Sequence, residues 1–307
     1  MNQNNSSGSP KTPTIVAVGG GKGGVGKSVI STMLALFLAR MDKRTILMDV
    51  DLGGANIHTL LGIKSPSRTI NDFVTKKFSS LEDIRLETGL PNLHLISGVS
   101  EVLSLANLQY AQKAKIIQYL FKLNADYIVL DLGAGTTFNV LDFFLIAHQK
   151  LVVMTSQPTS IQNAYAFVRN AVYRNLSRLS SHKPSLQSIV KAAMDPKNEL
   201  QVHTIKELFQ AIADAGGSNE AESIQAEIAK IQPALITNMV MEQKDRNASR
   251  IIQLVAEKYL MIQPTILGAV AYDRQLHTMV TNMVPLTQVD RTSDAFANLY
   301  DIVTKLV

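Results

Sequence analysis

A glycine-rich segment near the amino terminus carries the residues best suited to chemistry. Residues 21–28, with the sequence GKGGVGKS, fit the pattern GxxxxGK followed by Ser or Thr. Glycines let the backbone wrap closely around a phosphate so that its N–H groups point inward. Lys27 would then reach the β- and γ-phosphates of a nucleotide, and the Ser28 hydroxyl would bind Mg²⁺. The nucleotide-binding residues expected from this loop are Gly21, Gly23, Gly24, Val25, Gly26, Lys27 and Ser28.

Acidic residues stand at the ends of two other apolar stretches. Asp49 and Asp51 follow the first, and Asp131 follows the very apolar residues 127–130. Alternate side chains of a strand share one face, so both Asp49 and Asp51 would point toward the nucleotide. Two anions this close are costly without a cation, which a Mg²⁺–nucleotide complex would provide. Asp131 precedes the residues LGAG and matches the Walker B position, where a carboxylate holds Mg²⁺ through water. The metal-binding candidates are Ser28, Asp49 and Asp131.

The spacing of apolar residues predicts the elements that position these groups. An apolar run at 15–18 precedes the loop, and residues 28–41 after it show helical spacing, which predicts strand, loop and helix in that order. Further strands are expected at 45–48, 93–96, 127–130, 151–154, 234–238 and 265–270. Uninterrupted apolar strands that alternate with helical segments predict an α/β fold with a mostly parallel sheet flanked by helices.

The chain divides into a tail, a folded domain and a helical insertion. Residues 1–13 are rich in Asn, Ser, Gly and Pro and offer no buried face, so we expect a disordered tail. A single nucleotide-binding domain is expected over residues 14–307. Within it, residues 175–232 lack strand signals and show helical periodicity around a Gly-Gly turn, which predicts a helical insertion.

Composition removes several classes of mechanism. The 307 residues include no cysteine, so a thiolate nucleophile, a cysteine-ligated zinc and an iron–sulfur cluster are excluded. The formal net charge of +5 is a weak bias toward anionic partners, much less than a dedicated nucleic-acid binder usually shows. Neither a secretory signal nor an apolar run of about 18 residues occurs, so we expect a cytoplasmic protein.

A second lysine, Lys22, stands at the start of the loop and makes it KGGVGKS. This is the deviant Walker A motif, and here the sequence resembles the MinD/ParA family of dimerising ATPases. The resemblance implies that Lys22 reaches across a nucleotide-sandwich dimer to the partner's phosphates and supplies the charge of an arginine finger. It also implies that Asp51 orients or activates the attacking water and that Asp49 lies near the outer shell of the metal. Lys22, Lys27 and Asp51 are the catalytic residues on this hypothesis.

Longer stretches narrow the resemblance. The segments MDVDLGGANIHTLLG, DYIVLDLGAGTTFNVLDFF and TSQPTSIQNAYAFVRN look most like the FlhG (FleN) branch, whose members regulate flagellar placement and number. In the family, an Asn that ends a late strand and the loop after a following strand hold the adenine. Asn238, Tyr272 and Asp273 stand in those places. Residues 51–56 and 131–137 correspond to the two switches that respond to the γ-phosphate.

These features predict a Mg²⁺-dependent ATPase that cycles between a monomer and an ATP-bound homodimer. The resemblance implies slow hydrolysis of ATP to ADP and phosphate, stimulated by a protein partner that the sequence does not identify. Flagellar or polar positioning is the first biological hypothesis. Two alternatives stay open: a ParA-type partition ATPase that binds DNA as a dimer, and a metabolic P-loop kinase or ATP-dependent ligase.

Two segments are candidates for contact with a larger surface. Arg169, Arg174, Arg178 and Lys183 recur on or just after one predicted helix, and nonspecific DNA binding through them stays open beside an ordinary solvated face. Residues 296–307 form an apolar helical stripe with charges of both signs, whereas membrane-surface helices are usually rich in Lys and Arg. We therefore favour a last core helix over a peripheral membrane contact.

Overall fold

A computed structural model of the chain describes residues 12–98, 109–194, 204–289 and 291–307. Most of the tail predicted over 1–13 therefore lies outside the described residues. The strands are β1 (Thr14–Gly19), β2 (Thr45–Asp49), β3 (Leu86–Glu87), β4 (Leu93–Ile96), β5 (Tyr127–Asp131), β6 (Gln149–Met154), β7 (Ala234–Val240) and β8 (Thr265–Ala271). They form one sheet in the order β3-β4-β2-β5-β1-β6-β7-β8.

The sheet is parallel except at its β3 edge. Leu86 and Glu87 of β3 pair antiparallel with β4, while all other neighbouring strands run in the same direction. The predicted α/β class and its seven strands are confirmed. The short β3 was not predicted, because two residues are too few to show a period of two.

β1 lies at the centre of the sheet, between β5 and β6. Val18 of β1 is aligned with Asp131 of β5, and Asp131 is in turn aligned with Asp49 of β2. Parallel strands end at the same edge, so the loop after β1 and these two carboxylates meet there. Ligands of open α/β sheets bind in the crevice outside the carboxyl ends of the strands.

Helices cover both faces of the sheet. They are α1 (Lys27–Arg40), α2 (Ile57–Leu60), α3 (Ile70–Val74), α4 (Tyr110–Leu120), α5 (Phe138–Ile146), α6 (Pro158–Leu179), α7 (Pro184–Met194), α8 (Ile205–Gly216), α9 (Ser218–Ala229), α10 (Asn247–Leu260), α11 (Arg274–Thr281) and α12 (Asp294–Thr304). One apolar core lies beneath α1, α2, α11 and α12, and a second lies beneath α3 to α10. The predicted helix 28–41 is α1, which is buried on nearly every side because it lies between the sheet and α12.

Helices occupy the described part of the segment predicted as an insertion. Its first residues belong to α6, which runs on to Leu179, and α7, α8 and α9 follow. Leu186, Leu208 and Ile224 are buried where these helices pack against α6 and each other. The Gly-Gly turn lies where α8 ends, and Gly217 adopts a φ of 93° that a side chain would strain.

The carboxyl-terminal stripe packs into the core as α12. Leu299 and Val303 are fully buried, and the rings of Phe296 and Tyr300 meet Phe37 of α1 edge to face with centroids 4.6 and 5.7 Å apart. α12 packs against α1 and β8, and this packing explains the periodic apolar residues without any contact with a membrane. Within the described residues, the helices are too short or too polar to cross a bilayer.

Candidate nucleotide site

The loop between β1 and α1 is held in place by contacts that only glycine allows. A Cβ at Gly21 would lie 2.0 Å from the carbonyl oxygen of Asn163 on α6, so the loop backbone touches the helix backbone. Gly26 has a φ of 89°, and a Cβ there would lie 2.2 Å from Nδ2 of Asn238. Close contacts with α6 on one side and with Asn238 on the other therefore hold the loop in place.

The two lysines of the loop have different surroundings. Lys27 is only 8% exposed, and its Nζ donates to the backbone oxygen of Lys22 across the loop at 3.2 Å. Burial lowers the pKa of Lys27, while the carboxylates of Asp131 and Asp51 act in the opposite direction. Lys22 is exposed at the outside of the loop. The Lys22 side chain can therefore reach a group outside this chain, whereas the Lys27 side chain is hydrogen-bonded within the loop.

Asp131 is buried at the end of β5 and is held by two hydroxyls. Ser28 Oγ donates to Oδ2 and Ser31 Oγ donates to Oδ1, both at 2.7 Å. Burial raises the pKa of Asp131 to about 6, although these two hydrogen bonds and Lys27 oppose it. Ser31 belongs to no motif and was not predicted from the sequence. Its signal was the spacing of three residues from Ser28, which places both hydroxyls on one face of α1.

Asp49 organises the loop that follows β2. Its Oδ2 accepts hydrogen bonds from the backbone N–H groups of Asn56 and Ile57 at 2.9 and 3.1 Å, and Oδ1 accepts one from Asp51 at 3.2 Å. Burial, followed by the nearby charge of Asp131, raises the pKa of Asp49 to about 7. Asp49 thus ties the loop predicted as the first switch to the same buried edge that holds Asp131.

The prediction that Asp49 and Asp51 share one face of a strand was wrong. β2 ends at Asp49, and Asp51 lies in the turn beyond it, where its carbonyl oxygen accepts a hydrogen bond from the Gly54 N–H. The chain leaves the extended conformation at this turn, so the alternation of strand faces no longer applies. Instead the carboxylate of Asp51 approaches the loop predicted as the second switch, since a Cβ at Gly133 would lie 3.0 Å from its Oδ1.

The arrangement suits a hard divalent cation. The carboxylates of Asp49 and Asp131 stand on aligned positions of neighbouring strands, and the hydroxyl of Ser28 lies against one of them. Mg²⁺ prefers such oxygen ligands, bound through one or two carboxylates, with water and phosphate filling the other positions. These residues therefore fit the metal that the sequence predicts.

A cavity of about 470 Å³ adjoins the loop. It is lined by the loop residues Gly24, Gly26, Lys27 and Ser28, by the predicted adenine contacts Asn238, Tyr272 and Asp273, and by apolar residues that include Val270, Leu276 and Val280. Apolar walls with a few polar groups are usual for a pocket that holds a base. The fold thus brings residues from both ends of the chain to one cavity, while Gly21, Gly23 and Val25 belong to the loop without lining it.

Two of the predicted adenine contacts already have structural partners. Asn238 lies at an irregularity in the pairing of β7 with β8, and its Nδ2 donates to the backbone oxygen of Val25 at 2.9 Å. Asp273 caps α11, because its Oδ1 accepts from the Leu276 N–H at 2.9 Å. Tyr272 is 40% exposed at the cavity. Their contact with adenine stays a prediction.

Replacement of Ser31 by Ala should weaken the metal site specifically. Asp131 would lose one of its two hydroxyl donors, a loss worth about 1.5–3 kcal/mol for a charged acceptor. We expect a several-fold higher Mg²⁺ concentration for half-maximal ATP turnover, measured as phosphate release. Thr32→Val is the matched control, since the buried Thr32 hydroxyl donates to the backbone oxygen of Ser28 and not to Asp131. An equal shift in the control would show that general loosening of α1 is responsible.

The stability of the ligand-free protein should fall as pH rises from about 4 to about 7. The folded protein retains a proton on Asp49 in this window, whereas the unfolded chain, with a carboxyl pKa of 3.8, releases it. Asp49→Asn should therefore flatten the pH dependence of the free energy of unfolding, by an amount on the order of a few kcal/mol. Urea unfolding at pH 5, 6, 7 and 8 measures this slope. The exposed Asp214→Asn should leave it unchanged, and an unchanged slope in Asp49→Asn would contradict the assignment.

The sequence is similar to those of known proteins. The chain is 38% identical to the antiactivator FleN of Pseudomonas aeruginosa over 157 residues, which are 50% of this chain and 55% of FleN. It is 32% identical to the flagellum site-determining protein YlxH of Helicobacter pylori over 50% of this chain and 52% of that protein. The matches span about half the length of each relative. These two relatives confirm the predicted resemblance to the FlhG (FleN) branch over half of the chain.

The fold has solved counterparts. The septum site-determining protein MinD of Pyrococcus horikoshii, complexed with Mg-ADP, superposes with a TM-score of 0.63 at 15% identity, covering 96% of both chains. MinD in the MinC:MinD complex of Aquifex aeolicus gives a TM-score of 0.62 at 17% identity and covers 95% of both chains. A family model named ParA, described as NUBPL iron-transfer P-loop NTPase, matches residues 11–259. Since that match spans most of the chain and includes the loop, both acidic strand ends and Asn238, the chain belongs to the ParA family of P-loop NTPases.

Proposed function

We propose that the chain is a Mg²⁺-dependent ATP hydrolase that switches between monomer and ATP-bound homodimer, and that it acts in the placement or number of flagella. Membership of a P-loop NTPase family, and the Mg-ADP bound to the MinD counterpart, support ATP and Mg²⁺ as the ligands of this site. The observation that carries the proposal is the 2.7 Å hydrogen bond from Ser28 to the buried Asp131, beside the buried Lys27. This is the arrangement that a P-loop needs to hold Mg²⁺ against a triphosphate.

Phosphoryl transfer needs positioning and neutralisation of charge rather than a covalent nucleophile. Lys27 would place its ammonium group against the β- and γ-phosphates, and the loop N–H groups would surround them. Ser28 and Asp131 would hold Mg²⁺, and Asp49 would lie near the outer shell of the metal. Bound Mg²⁺ would supply positive charge to the phosphate oxygens as negative charge builds on the leaving group.

Asp51 and Lys22 are proposed to complete the reaction. Asp51 is partly exposed and lies between the two switch loops, close to Gly54 and Gly133, so its carboxylate can hold a water beside the γ-phosphate. Lys22 is exposed and, within its own loop, offers only its backbone oxygen to Lys27. The long side chain can therefore extend to the phosphates of a second subunit, where it would act as an arginine finger does.

The biological role is supported by the relatives and by the chemistry of the surface. FleN is an antiactivator and YlxH a flagellum site-determining protein, and each aligns with half of this chain. The DNA-binding alternative is weakened, because two of its four cations already have partners. Arg174 is bound to Asp142, and Lys183 to Glu220. Only Arg169 and Arg178 of that set are exposed to solvent without such a pair among the described residues.

Asp51→Ala should separate hydrolysis from assembly. Loss of a group that orients the attacking water costs about a hundredfold or more in rate, while nucleotide binding is left intact. We expect phosphate release to fall by that factor and the variant to accumulate as a dimer with ATP, seen by size-exclusion chromatography with light scattering as twice the 33.6 kDa chain mass. The exposed Asp214→Ala serves as control. A variant that stays monomeric with ATP would remove Asp51 from the hydrolytic step.

Lys22→Ala should bind ATP but remain a monomer. The substitution keeps the backbone oxygen that accepts the Lys27 hydrogen bond, so the loop itself should persist. We expect an unchanged affinity for a fluorescent, nonhydrolysable ATP analogue and a mass of one chain by light scattering in its presence. Lys22→Arg should restore the dimer, since it restores the charge. Normal dimerisation of Lys22→Ala would refute a role for this side chain across the interface.

A further inference from the structure

A second large cavity, of about 1120 Å³, lies away from the nucleotide loop. It is a cleft between α4, the beginning and end of α5, the last part of α6 and the first turns of α7. It shares no lining residue with the cavity beside the loop. The chemistry proposed for the nucleotide therefore does not account for it.

The floor of the cleft holds three charged side chains, of which Asp142 and Lys113 are buried and Arg174 is half-buried. Asp142 on α5 accepts from the guanidinium of Arg174 at 2.7 and 2.9 Å and from the ammonium group of Lys113 on α4. Burial alone would raise the pKa of Asp142, but these hydrogen bonds outweigh it and hold the pKa below its usual value. One carboxylate thus faces two cations, and the floor keeps an excess of positive charge.

The walls and the mouth of the cleft are apolar and aromatic. Phe138 and Tyr110 are 63% and 78% exposed at its mouth, and Ile117, Ile146 and Leu179 are half-buried along its walls. Exposed aromatic rings that border a concave surface are typical of sites where protein partners anchor.

Two more cations extend the charge to the rim. Arg178 on α6 and Lys191 on α7 are exposed and line the cleft, and Asp142 is the only carboxylate among its described lining residues. The described lining therefore contains four cationic side chains and one carboxylate. That carboxylate is already bound to two of the cations, Arg174 and Lys113. A partner with carboxylates placed beside apolar side chains would complement both properties of this surface.

We propose that this cleft is a docking site for an acidic amphipathic helix of a partner protein. Such a helix would place its Leu or Phe side chains between Phe138, Tyr110 and the apolar walls, and its Glu or Asp side chains toward Arg178 and Lys191. Nucleic acid fits less well, because a phosphate backbone gains nothing from the apolar walls. In addition, Arg174 already lies over the ring of Phe138 at 4.4 Å and covers one face on which a base would stack.

The proposal does not require bound nucleotide, so its test uses the full chain without nucleotide. The probe is a fluorescein-labelled 18-residue helical peptide with Leu and Phe on one face and Glu on the other. Fluorescence anisotropy at low salt should show saturable binding, at least about tenfold tighter than binding of the same peptide with Lys in place of Glu. Arg178→Glu combined with Lys191→Glu should weaken binding of the acidic peptide about tenfold.

Two controls separate this site from general electrostatics. Lys230→Glu combined with Lys258→Glu makes the same change of charge on exposed residues that line neither cavity, and it should bind the acidic peptide like the unmodified chain. Phe138→Ala should weaken binding several-fold at unchanged charge. Unchanged circular dichroism and unfolding transitions show that each variant is folded.

Several results would overturn the proposal. They are the absence of peptide binding, equal binding of the Lys peptide, and equal loss in the two charge-reversed pairs. Displacement of the acidic peptide by a 20-nucleotide oligo-dT, with the same loss on changing Arg178 and Lys191, would assign the cleft to nucleic acid instead. None of these readouts involves ATP hydrolysis, so the proposed function stands or falls separately.

Discussion

The site depends on two buried carboxylates that stand side by side at the edge of the sheet. Asp49 and Asp131 are aligned on neighbouring parallel strands, and both have a raised pKa, since burial penalises each charge and each also lies near another carboxylate. The hydroxyls of Ser28 and Ser31 and the ammonium group of Lys27 offset part of that penalty for Asp131. A divalent cation would offset much more of it, which is why a fold with this pair favours a loaded site.

The same constraint links the metal site to the switch loop. Asp49 binds the backbone N–H groups of Asp51, Asn56 and Ile57, and these hydrogen bonds are strongest when Asp49 is ionised. Ionisation in turn is favoured when a cation lies nearby. A cation beside Asp49 would therefore strengthen the hydrogen bonds that hold residues 51–57 in place. The position of Asp51, and with it any water it holds, depends on a charge two residues away.

The sequence predicted the fold and the centre of the site because both follow from local patterns. Apolar runs at strand length gave seven strands, and the spacing of the glycines with Lys27 and Ser28 identified the loop. The errors arose where a side chain is placed by a turn or by tertiary packing. Asp51 was assigned to a strand face that ends two residues earlier, and Ser31 was overlooked because a Ser in a helix carries no motif. Asn238 was found only through the family resemblance, and its bond to Val25 spans more than two hundred residues.

The segment from β5 to α5 places the predicted second switch between two fixed points. At one end, Asp131 is held by two hydroxyls within the sheet. At the other, Phe143 and Phe144 are buried in the core and Asp142 is bound to both Arg174 and Lys113. Residues 132–137 and the first turn of α5 lie between these points, so we expect a response to the γ-phosphate to be largest there. Phe138 is the first residue of that turn, so a change of the second switch would alter the aromatic mouth of the cleft before it disturbed the charged floor.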